Sequence, residues 1–500
     1  MLLLVILSVV IVCLYAISTI NSRVLHQLKM PYHKFNPRYP FCIERLYTII
    51  KLGVSSAEER FKIITTLCLQ YSDMVKVWFG PLLVVFVNHP QRIQKVLMSP
   101  KCADKWNLFY VLMERETALT AGRTSLKWKE HRKFFNYCFS LSALESFVKI
   151  FADCSDEFCA TLDGETKGKE FSFLPIAKRF SFDVLCETSM DMKAKDLFDE
   201  ATYEKIFSGF ETTEEAFNHK TEIPFLYPKT LFKLTKLRRD EKTAQQTLNE
   251  FRHYIVKRRR SIMEASECTD NTSHNGRCVL IDHIIRNEEK FNDKEILDHV
   301  LNFIAGYEIL ANAMAHTILL LAMHPDIQQK LYESVQSSIL CDEDVRSSDI
   351  IKSIEYLDLV LKETYRLMPT VPMILREVTD DFEIEPGLVI PKGVKLVMNF
   401  CALHRRKDIW GVDSDEFKPE RFYADDSESR HLFSFLPFSG GSRICIANKY
   451  STIALKIATV QLIRKFKFST SMTMKDIRLK SYVSLKLCTD HLISLESRVP

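Results

Sequence analysis

The segment Phe435–Cys445, near the C-terminal end of the chain, constrains the fold more than any other feature of the sequence. Its adjacent glycines, Gly440 and Gly441, let the backbone bend tightly and approach a flat ligand. An apolar run with helical spacing, Ser451–Phe466, follows. Cys445 should therefore lie just before a helix N-terminus, where backbone N–H groups and the helix dipole stabilise a thiolate. The segment predicts a cysteine sulfur that binds a metal.

The other cysteines do not indicate a second site of this kind. The chain has 14 cysteines in 500 residues, with no Cys-x-x-Cys pair and no spacing typical of zinc ligands. Reduced and mostly buried thiols are therefore expected. The net charge of +4 is too small to indicate a nucleic-acid partner.

An almost unbroken apolar run, Leu2–Ile20, opens the chain. About 19 residues at a rise of 1.5 Å cover roughly 28 Å, enough to span a bilayer core. No basic residue precedes the run and no small-x-small site follows it, so an anchor is favoured over the alternative, a cleaved signal peptide. Basic residues after the run predict that the body faces the cytosol. We divide the chain into a transmembrane anchor (1–20), a basic, proline-containing linker (21–45) and a globular domain (46–500).

The periodicity of the body predicts a mainly α-helical domain with small β-sheets. Apolar segments on either side of Gly80-Pro81, at 75–79 and 82–87, predict a hairpin, and His89-Pro90 should begin a short helix that ends at Leu97. Further strands are predicted at 388–390 and 395–398, and longer helices at 144–162, 181–190, 243–260 and 294–323. The last helix, about 30 residues long, should cross the whole body and stop before Pro325.

Four further motifs accompany the cysteine segment. They are Trp128 with Arg132, the Glu-x-x-Arg segment Glu363–Arg366, Arg376, and the Pro-Glu-Arg-Phe segment within Phe417–Phe422. Together with Phe-x-x-Gly-x-Arg-x-Cys at Phe438–Cys445, they resemble the landmarks of the cytochrome P450 superfamily, microsomal type. The chain is most similar to family four of animals, whose members include fatty-acid hydroxylases. The resemblance implies the cytochrome P450 fold, with haem between the long central helix and the helix after the cysteine.

The resemblance also implies roles for individual residues. Cys445 would be the axial thiolate of the iron in haem b, since a thiolate supplies the electron density that O–O cleavage needs. Glu363, Arg366 and Arg421 would form a buried ion-paired triad. The residues that hold the haem or its propionates would be Trp128, Arg132, Arg376, Phe438 and Arg443. The implied enzyme is a monooxygenase, an oxidoreductase whose catalytic haem-thiolate domain is 46–500.

The long helix departs from the family pattern at Ile309, where the family has a threonine that relays protons to bound oxygen. An isoleucine neither donates a proton nor orders a water by hydrogen bonding. Gly306 would still leave room for dioxygen, and Glu308 keeps the acid of the motif, so both are candidate catalytic residues. Ala305 excludes the covalent haem ester that many family-four enzymes form there, and Ala447 replaces the last glycine of the cysteine motif.

The substrate pocket should be apolar, and membrane attachment favours a lipophilic substrate such as a fatty acid, terpenoid, steroid or xenobiotic. Its candidate lining residues are Phe109, Leu112, Met113, Phe303, Ile309, Val371, Met373 and Val483. The resemblance implies electrons from NADPH-cytochrome P450 reductase, with cytochrome b5 as a second candidate donor, at the endoplasmic reticulum membrane. Candidate docking residues for such acidic partners are Lys127, Lys129, Lys133 and Arg430.

Ile309 keeps two other functions open. The first is a reductase-independent haem-thiolate isomerase or dehydratase that acts on a peroxide, because such an enzyme needs no proton relay to dioxygen. The second is a non-catalytic haem protein that sequesters its ligand.

Overall fold

Helices form most of the molecule, as the periodicity predicts. The computed structural model describes residues 30–31, 50–79, 82–106, 119–120, 124–165, 169–222, 232–267, 279–423 and 430–498. The predicted anchor and nearly all of the linker lie outside the described residues, as do Phe109, Leu112 and Met113 of the predicted pocket.

The helices of the described part, in chain order, are α1 (Ala57–Gln70), α2 (Pro90–Met98), α3 (Leu126–Cys138), α4 (Leu141–Glu145), α5 (Val148–Glu165), α6 (Phe173–Met190), α7 (Glu200–Glu222), α8 (Lys236–Glu267), α9 (Leu280–Ile285), α10 (Asp293–Ile304), α11 (Tyr307–Met323), α12 (Pro325–Ser338), α13 (Ser348–Ser353), α14 (Glu355–Leu367), α15 (Phe400–Leu403), α16 (Lys407–Trp410) and α17 (Asn448–Lys465). The strands are β1 (Met74–Phe79), β2 (Leu82–Val87), β3 (Phe171–Ser172), β4 (Met373–Glu377), β5 (Phe382–Glu385), β6 (Leu388–Ile390), β7 (Lys395–Asn399), β8 (Phe466–Ser469), β9 (Leu479–Ser481), β10 (Leu485–Leu487) and β11 (Leu492–Ser497).

The largest sheet has the strand order β1-β2-β7-β4. The predicted hairpin is confirmed, because β1 pairs antiparallel with β2 and Met74 lies opposite Val87. β7 joins β2 in parallel and β4 in antiparallel orientation. Alternate residues of β2 enter two different hydrophobic clusters, Val85 in one and Val84 in the other. Both faces of this sheet are therefore covered, which explains why the inner strand β2 is apolar throughout.

Smaller sheets lie at the C-terminal end of the chain. β11 pairs antiparallel with both β3 and β8, and β9 forms a hairpin with β10. The Leu485 N–H donates to the Thr370 carbonyl (2.9 Å), which holds the β9–β10 hairpin beside the segment that leads into β4. This contact brings the end of the chain to a wall of the candidate site.

The central helix is interrupted, contrary to the prediction of one helix over 294–323. α10 ends at Ile304 and α11 begins at Tyr307. Between them the Gly306 N–H donates to the Phe303 carbonyl (3.1 Å), a tighter turn than that of an α-helix. A Cβ on Gly306 would lie 3.1 Å from that same oxygen. The turn therefore depends on a residue without a side chain, which periodicity alone does not show.

Three other helix predictions had the right location and the wrong ends. The helix predicted over 144–162 is divided into α4 and α5, because the Ser146 hydroxyl donates to the Ala143 carbonyl (2.6 Å) and ends the first of them. α6 begins eight residues earlier than predicted, since Pro175 fits a first turn, where an N–H has no helical acceptor. α8 extends beyond 243–260 at both ends.

In the part of the chain that the structure describes, one helical stretch, Asp293–Met323, is long and apolar enough to cross a membrane. Almost all of α11 is buried within the protein, including Leu319, Leu320 and Leu321 at 0% exposure. A helix that is apolar on all sides and enclosed in this way is typical of the core of a large domain.

Candidate active site

The segment that carries Cys445 folds as consecutive tight turns in front of α17. The Cys445 N–H donates to the Phe438 carbonyl (3.0 Å), and the Ile444 N–H donates to the Gly441 carbonyl (3.2 Å). Two residues have a positive φ, Ser439 at 63° and Gly441 at 69°. The cysteine thus lies between these turns and the N-terminus of α17.

Cys445 is accessible in the loop before α17. Its accessible area is that of an exposed residue, whereas most of the other described cysteines are buried. Desolvation by the surrounding protein nevertheless raises the pKa of its thiol, while the Ala447 N–H and the Arg132 guanidinium act in the opposite direction. The residue is therefore available to contact a bound group.

Gly441 brings the cysteine loop against the end of α2. A Cβ built on Gly441 would lie 1.9 Å from the Leu97 carbonyl oxygen, and the φ of 69° is itself in the left-handed region. No side chain fits there unless one of the two backbones moves. The glycine therefore fixes how closely the loop approaches α2.

Replacing Gly441 with Ala should destabilise the loop and lower the haem content of the purified protein. The positive φ costs about 1–2 kcal/mol, and the contact with Leu97 adds about 1–3 kcal/mol of overpacking. The matched control is Gly387→Ala, which has a φ of 76° but nothing within 4 Å of its Cβ. Denaturant unfolding measures both variants, and equal losses of stability would contradict the close-approach argument.

Three cations converge near the cysteine loop. The Arg443 guanidinium stacks on the Trp128 ring, 3.8 Å from its centroid, and donates to the Thr124 hydroxyl (2.6 Å). Arg376 is 3% exposed. Burial, together with the charges of Arg376 and Arg443, lowers the pKa of Lys105 to about 7. The Asp104 carboxylate lies 3.8 Å from the Arg443 Nη2 and balances one of these charges, and a propionate carboxylate would balance a further one.

Lys105 was missed by the sequence analysis. It belongs to no motif, and a single lysine in a loop is normally an exposed side chain. Its position follows from the contacts that bring its loop next to β4: the Glu377 N–H donates to the Asp104 carbonyl (2.9 Å). A tertiary contact, and no local pattern, places this lysine beside Arg376.

Trp128 and Arg132 attach α3 to the surroundings of the site. The Arg132 Nη2 donates to the Ile444 carbonyl (2.8 Å), directly before Cys445. The Trp128 Nε1 donates to the Leu119 carbonyl (2.9 Å). These bonds orient α3 against the cysteine loop. Contact of the Trp128 or Arg132 side chain with a haem propionate stays a prediction.

Glu363, Arg366 and Arg421 form a buried ion cluster, and these side chains are at most 6% exposed. The Glu363 carboxylate accepts two bonds from Arg366 (2.7 and 2.9 Å) and one from the Arg421 Nε (2.9 Å). Tyr365, also on α14, packs its ring 5.3 Å from that of Phe438 in the cysteine loop. The cluster therefore fixes the position of α14, which supports the loop from one side.

The central helix is buried except along one narrow face. Its partly exposed positions around the break are Asn302, Ala305, Gly306 and Ile309, at the spacing of a single helix face. The adjoining turns are buried, so accessibility is confined to this one face. Gly306 and Ile309 of the sequence prediction thus lie on the same accessible face.

Phe303 lies elsewhere. It is 9% exposed, and its ring is 5.0 Å from that of Phe135 and 5.8 Å from that of Phe139, centroid to centroid. The structure therefore places it in the aromatic core between α10 and α3. Apolar character alone could not distinguish this position from one on a pocket wall.

Three of the predicted pocket residues are neighbours of one turn. Ser484, in the β9–β10 turn, donates its hydroxyl to the Glu308 carboxylate (3.3 Å). The next residue, Leu485, donates its N–H to the Thr370 carbonyl. Ile309, Val371 and Val483 each adjoin one of these bonded residues in sequence; Ile309 and Val371 are partly exposed, and Val483 is 39% exposed. Met373, on β4, is also partly exposed. These apolar side chains could form the wall of one cavity.

The residues present fit a haem. An accessible cysteine supplies a soft ligand for iron, and the Lys105–Arg376–Arg443 cluster supplies positive charge for the propionates. Gly306 leaves space on the face of the central helix. The donor set is one sulfur with cations around it. Within the described residues there is no second candidate metal site, that is, no group of three or more His, Cys, Asp and Glu residues that could hold a metal ion.

Comparison with known proteins agrees with this geometry. The family model described as Cytochrome P450 matches residues 37–489, nearly the whole chain. The chain is 27% identical over 431 residues to probable cytochrome P450 313a4 of Drosophila melanogaster, covering 84% of this chain and 86% of that protein. It is 28% identical over 444 residues to cytochrome P450 4c21 of Blattella germanica, covering 85% of each.

A third relative covers almost the full length. Probable cytochrome P450 313a5 of Drosophila melanogaster is 26% identical over 499 residues, 98% of each chain. The presence of cytochromes P450 4c21 and 4p1 among the relatives confirms the resemblance to family four. The predicted fold class and haem cofactor are confirmed with it. The chain belongs to the cytochrome P450 family and is a haem-thiolate monooxygenase.

Proposed function

We propose that this protein inserts one atom of dioxygen into a lipophilic substrate, using electrons from NADPH that arrive through a separate flavoprotein reductase, with Cys445 as the thiolate ligand. The observation that carries the proposal is the accessible Cys445 in the loop before α17, beside the Ile444 carbonyl that accepts from Arg132. The bound haem supplies the activation of dioxygen and the transfer of one oxygen atom to the substrate.

The chain itself positions the reactants and controls protons. Lys105, Arg376 and Arg443 would hold the propionates by charge. Gly306 leaves room beside the accessible face of the central helix, and Glu308 is the nearest acid along that helix. The apolar residues around the site exclude bulk water, which strengthens each electrostatic interaction inside it.

The accessible apolar residues Ile309, Val371, Met373 and Val483 support a lipophilic substrate. All four are aliphatic or thioether side chains, so they favour a substrate with an extended hydrocarbon portion over a polar one. Fatty acids, terpenoids, steroids and lipophilic xenobiotics all have this property.

The predicted docking cations for an acidic electron donor divide into two pairs. Lys129 and Lys133, on α3, are exposed and support docking near Cys445. Lys127 is instead ion-paired with Glu295, and the Arg430 guanidinium lies 4.8 Å from the centre of the Trp410 ring. We therefore propose that Lys129 and Lys133 attract NADPH-cytochrome P450 reductase, with cytochrome b5 as a second candidate. Charge reversal of both should slow reduction of the haem, and unchanged reduction rates at low salt would argue against this surface.

We further propose attachment to the endoplasmic reticulum membrane through residues 1–20, with the body in the cytosol. The apolar run at the start of the chain supports this location. Alkaline extraction of microsomes is the test: the full chain should stay with the membrane, and its release would contradict a spanning anchor.

Product analysis with two electron sources tests the activity. Holoprotein with NADPH, reductase and a panel of lipophilic substrates should give products that contain oxygen from labelled dioxygen. Turnover of a lipid hydroperoxide without NADPH or reductase, and without label uptake, would instead establish the isomerase or dehydratase that Ile309 keeps open. Bound haem with no turnover in either assay would indicate a ligand-sequestering protein.

Replacing Ile309 with Thr should raise the fraction of NADPH electrons recovered in product. The substitution restores a hydroxyl on the accessible face of the central helix, where it can donate a hydrogen bond and order water. The expected gain is several-fold, smaller than the roughly 100-fold or more that a positioned proton donor typically contributes, because the wild type already has Glu308 on the same helix. Ile309→Val is the matched control, because valine is β-branched like threonine but has no hydroxyl. An equal gain in both variants would show that the shape of the side chain alone is responsible.

A further inference from the structure

An amide side chain lies on the accessible face of the central helix, one turn before the break. Asn302 is in the last turn of α10 and is partly exposed, as are Ala305, Gly306 and Ile309 on the same face. It precedes Gly306 by four residues and Ile309 by seven, which is about 6 Å and about 10 Å along the helix axis. Because the other side chains of this face are small or apolar, Asn302 supplies its polar group.

The amide is held by a residue from another part of the chain. The Thr120 hydroxyl donates to the Asn302 Oδ1. Leu119, the residue before Thr120, accepts the Trp128 Nε1–H through its carbonyl (2.9 Å), so α3 fixes the position of this segment. Trp128 is itself 7% exposed and gives the segment a rigid support. Thr120 therefore holds the amide in one orientation, with its carbonyl oxygen occupied.

The nitrogen of the same amide is available to a ligand. An asparagine side chain carries two N–H donors in addition to its carbonyl oxygen. In the part of the chain that the structure describes, the Asn302 Nδ2 has no hydrogen-bond acceptor, and it is not one of the buried atoms that lack a partner. The nitrogen is therefore accessible. A side chain whose oxygen is occupied and whose N–H groups are open favours a ligand that accepts a hydrogen bond.

The ion pairs on α10 favour an uncharged acceptor. Glu295 pairs with Lys127, and Asp298, one turn before Asn302, pairs with Arg252 (2.6 Å). Both carboxylates are 3% exposed, so the two cations are already used by acids of this helix. A substrate carboxylate at Asn302 would lie one turn from the Asp298 charge and would gain no cation from these pairs, which is costly in a partly buried place. A neutral oxygen needs no counter-charge.

We propose that Asn302, with Thr120 as its positioning residue, donates a hydrogen bond to a neutral oxygen of the substrate and so selects oxygenated neutral lipids, such as ketones and esters, over hydrocarbons and ionised carboxylic acids. The inference rests on the proposed monooxygenase function and narrows its substrate class. The hydrocarbon part of the substrate then extends along the accessible face past Gly306 toward Ile309. The hydrogen bond fixes which carbon lies beside Gly306.

Ligand binding to the holoprotein tests this hydrogen bond without turnover. The probes are a long-chain methyl ketone, the alkane of equal length and the carboxylic acid of equal length, and the shift of the Soret band on binding gives each dissociation constant. Asn302→Leu, which keeps the size of the side chain, should weaken ketone binding about 3–10-fold and leave alkane binding unchanged. The wild type should bind the ketone more tightly than the ionised acid.

Infrared spectra report the hydrogen bond itself. The C=O stretch of a ketone falls in frequency when the oxygen accepts a hydrogen bond, and a carbon-13 label separates the ligand band from those of the protein. The band of the ketone bound to the wild type should lie below its position in hydrocarbon solvent, and Asn302→Leu should remove the difference. Thr120→Val should leave a broader band, because the amide is still present but no longer held. Oxidation should spread over more carbons in both variants.

The matched control is Asn312→Leu. Asn312 has the same side chain and lies on α11, but it is 1% exposed, and neither of its amide atoms has a partner among the described residues. This variant should leave the ketone affinity and the infrared band unchanged. Ketone binding that is unaffected in Asn302→Leu, or weakened equally in Asn312→Leu, would overturn the proposal, and tighter binding of the ionised acid would overturn the neutral substrate class. A wild type that binds the ketone as expected but forms no oxygenated product contradicts the proposed function instead and leaves this binding role in place.

Discussion

Replacing Cys445 with Ala should abolish the long-wavelength Soret band that reduced haem-thiolate proteins show with carbon monoxide. Alanine offers no ligand, so the iron loses the thiolate whose electron density favours O–O cleavage. Oxygenated product should fall to background, and much of the protein should purify without haem, because the only contacts left are charge pairs and packing. The absorbance spectrum and the haem-to-protein ratio measure these effects directly.

Cys341→Ala is the control for Cys445. Cys341 is also an exposed cysteine, but it lies before a short 3-10 helix, Asp342–Arg346, away from the cysteine loop. Its removal should leave the carbon monoxide spectrum and the product yield unchanged. If the spectrum of Cys445→Ala matched that of the wild type, another residue would have to be the iron ligand and the assignment of the site would be wrong.

Replacing Arg366 with Met should cost about 3–5 kcal/mol of unfolding free energy, because it leaves Glu363 buried with a partly compensated charge. The side chains of Arg366 and Glu363 are both 0% exposed. Arg366 also donates to the carbonyls of His404 (2.7 Å) and Ser414 (2.6 Å), so those acceptors lose their donor as well. A protein with a typical stability of about 5–15 kcal/mol should then fold poorly or lose haem. Urea unfolding of the holoprotein measures the loss.

Lys352→Met is the matched control for Arg366. Lys352 pairs with Asp349 at the same i,i+3 spacing, but the side chains are 48% and 90% exposed. A solvent-exposed pair of this kind contributes about 0–1 kcal/mol. If both variants lost the same amount, burial would not be the source of the stability that we assign to the Glu363 cluster.

Motif residues could be predicted because each is required by local chemistry. Gly441 needs a positive φ, and Cys445 needs a helix N-terminus after it; both requirements leave a pattern of neighbouring residues in the sequence. The β1–β2 hairpin was predictable for the same reason, since two residues separate its strands. These features depend on residues close together in the chain, whereas the contact with Leu97 that excludes a Cβ on Gly441 does not.

The features that were missed or misplaced depend on distant contacts. Lys105 becomes part of the site because its loop bonds to β4, hundreds of residues later. The Lys486 ammonium lies 2.6 Å from the Glu308 carboxylate only because the C-terminal hairpin folds back onto the central helix. Phe303 looked like a pocket residue from its apolar character, yet neighbouring aromatic rings on α3 enclose it. No local spacing carries this information.

The sequence by itself determined the family, the helical class and the residues of the cysteine loop, because backbone conformation and metal-ligand chemistry act over a few residues at a time. Only the tertiary structure decided where the central helix breaks, which cations surround the site and which groups share the charge of Glu308. Those outcomes depend on burial and on charges brought within a few ångströms by folding, and a buried charge has its energy set by neighbours that are remote in the chain.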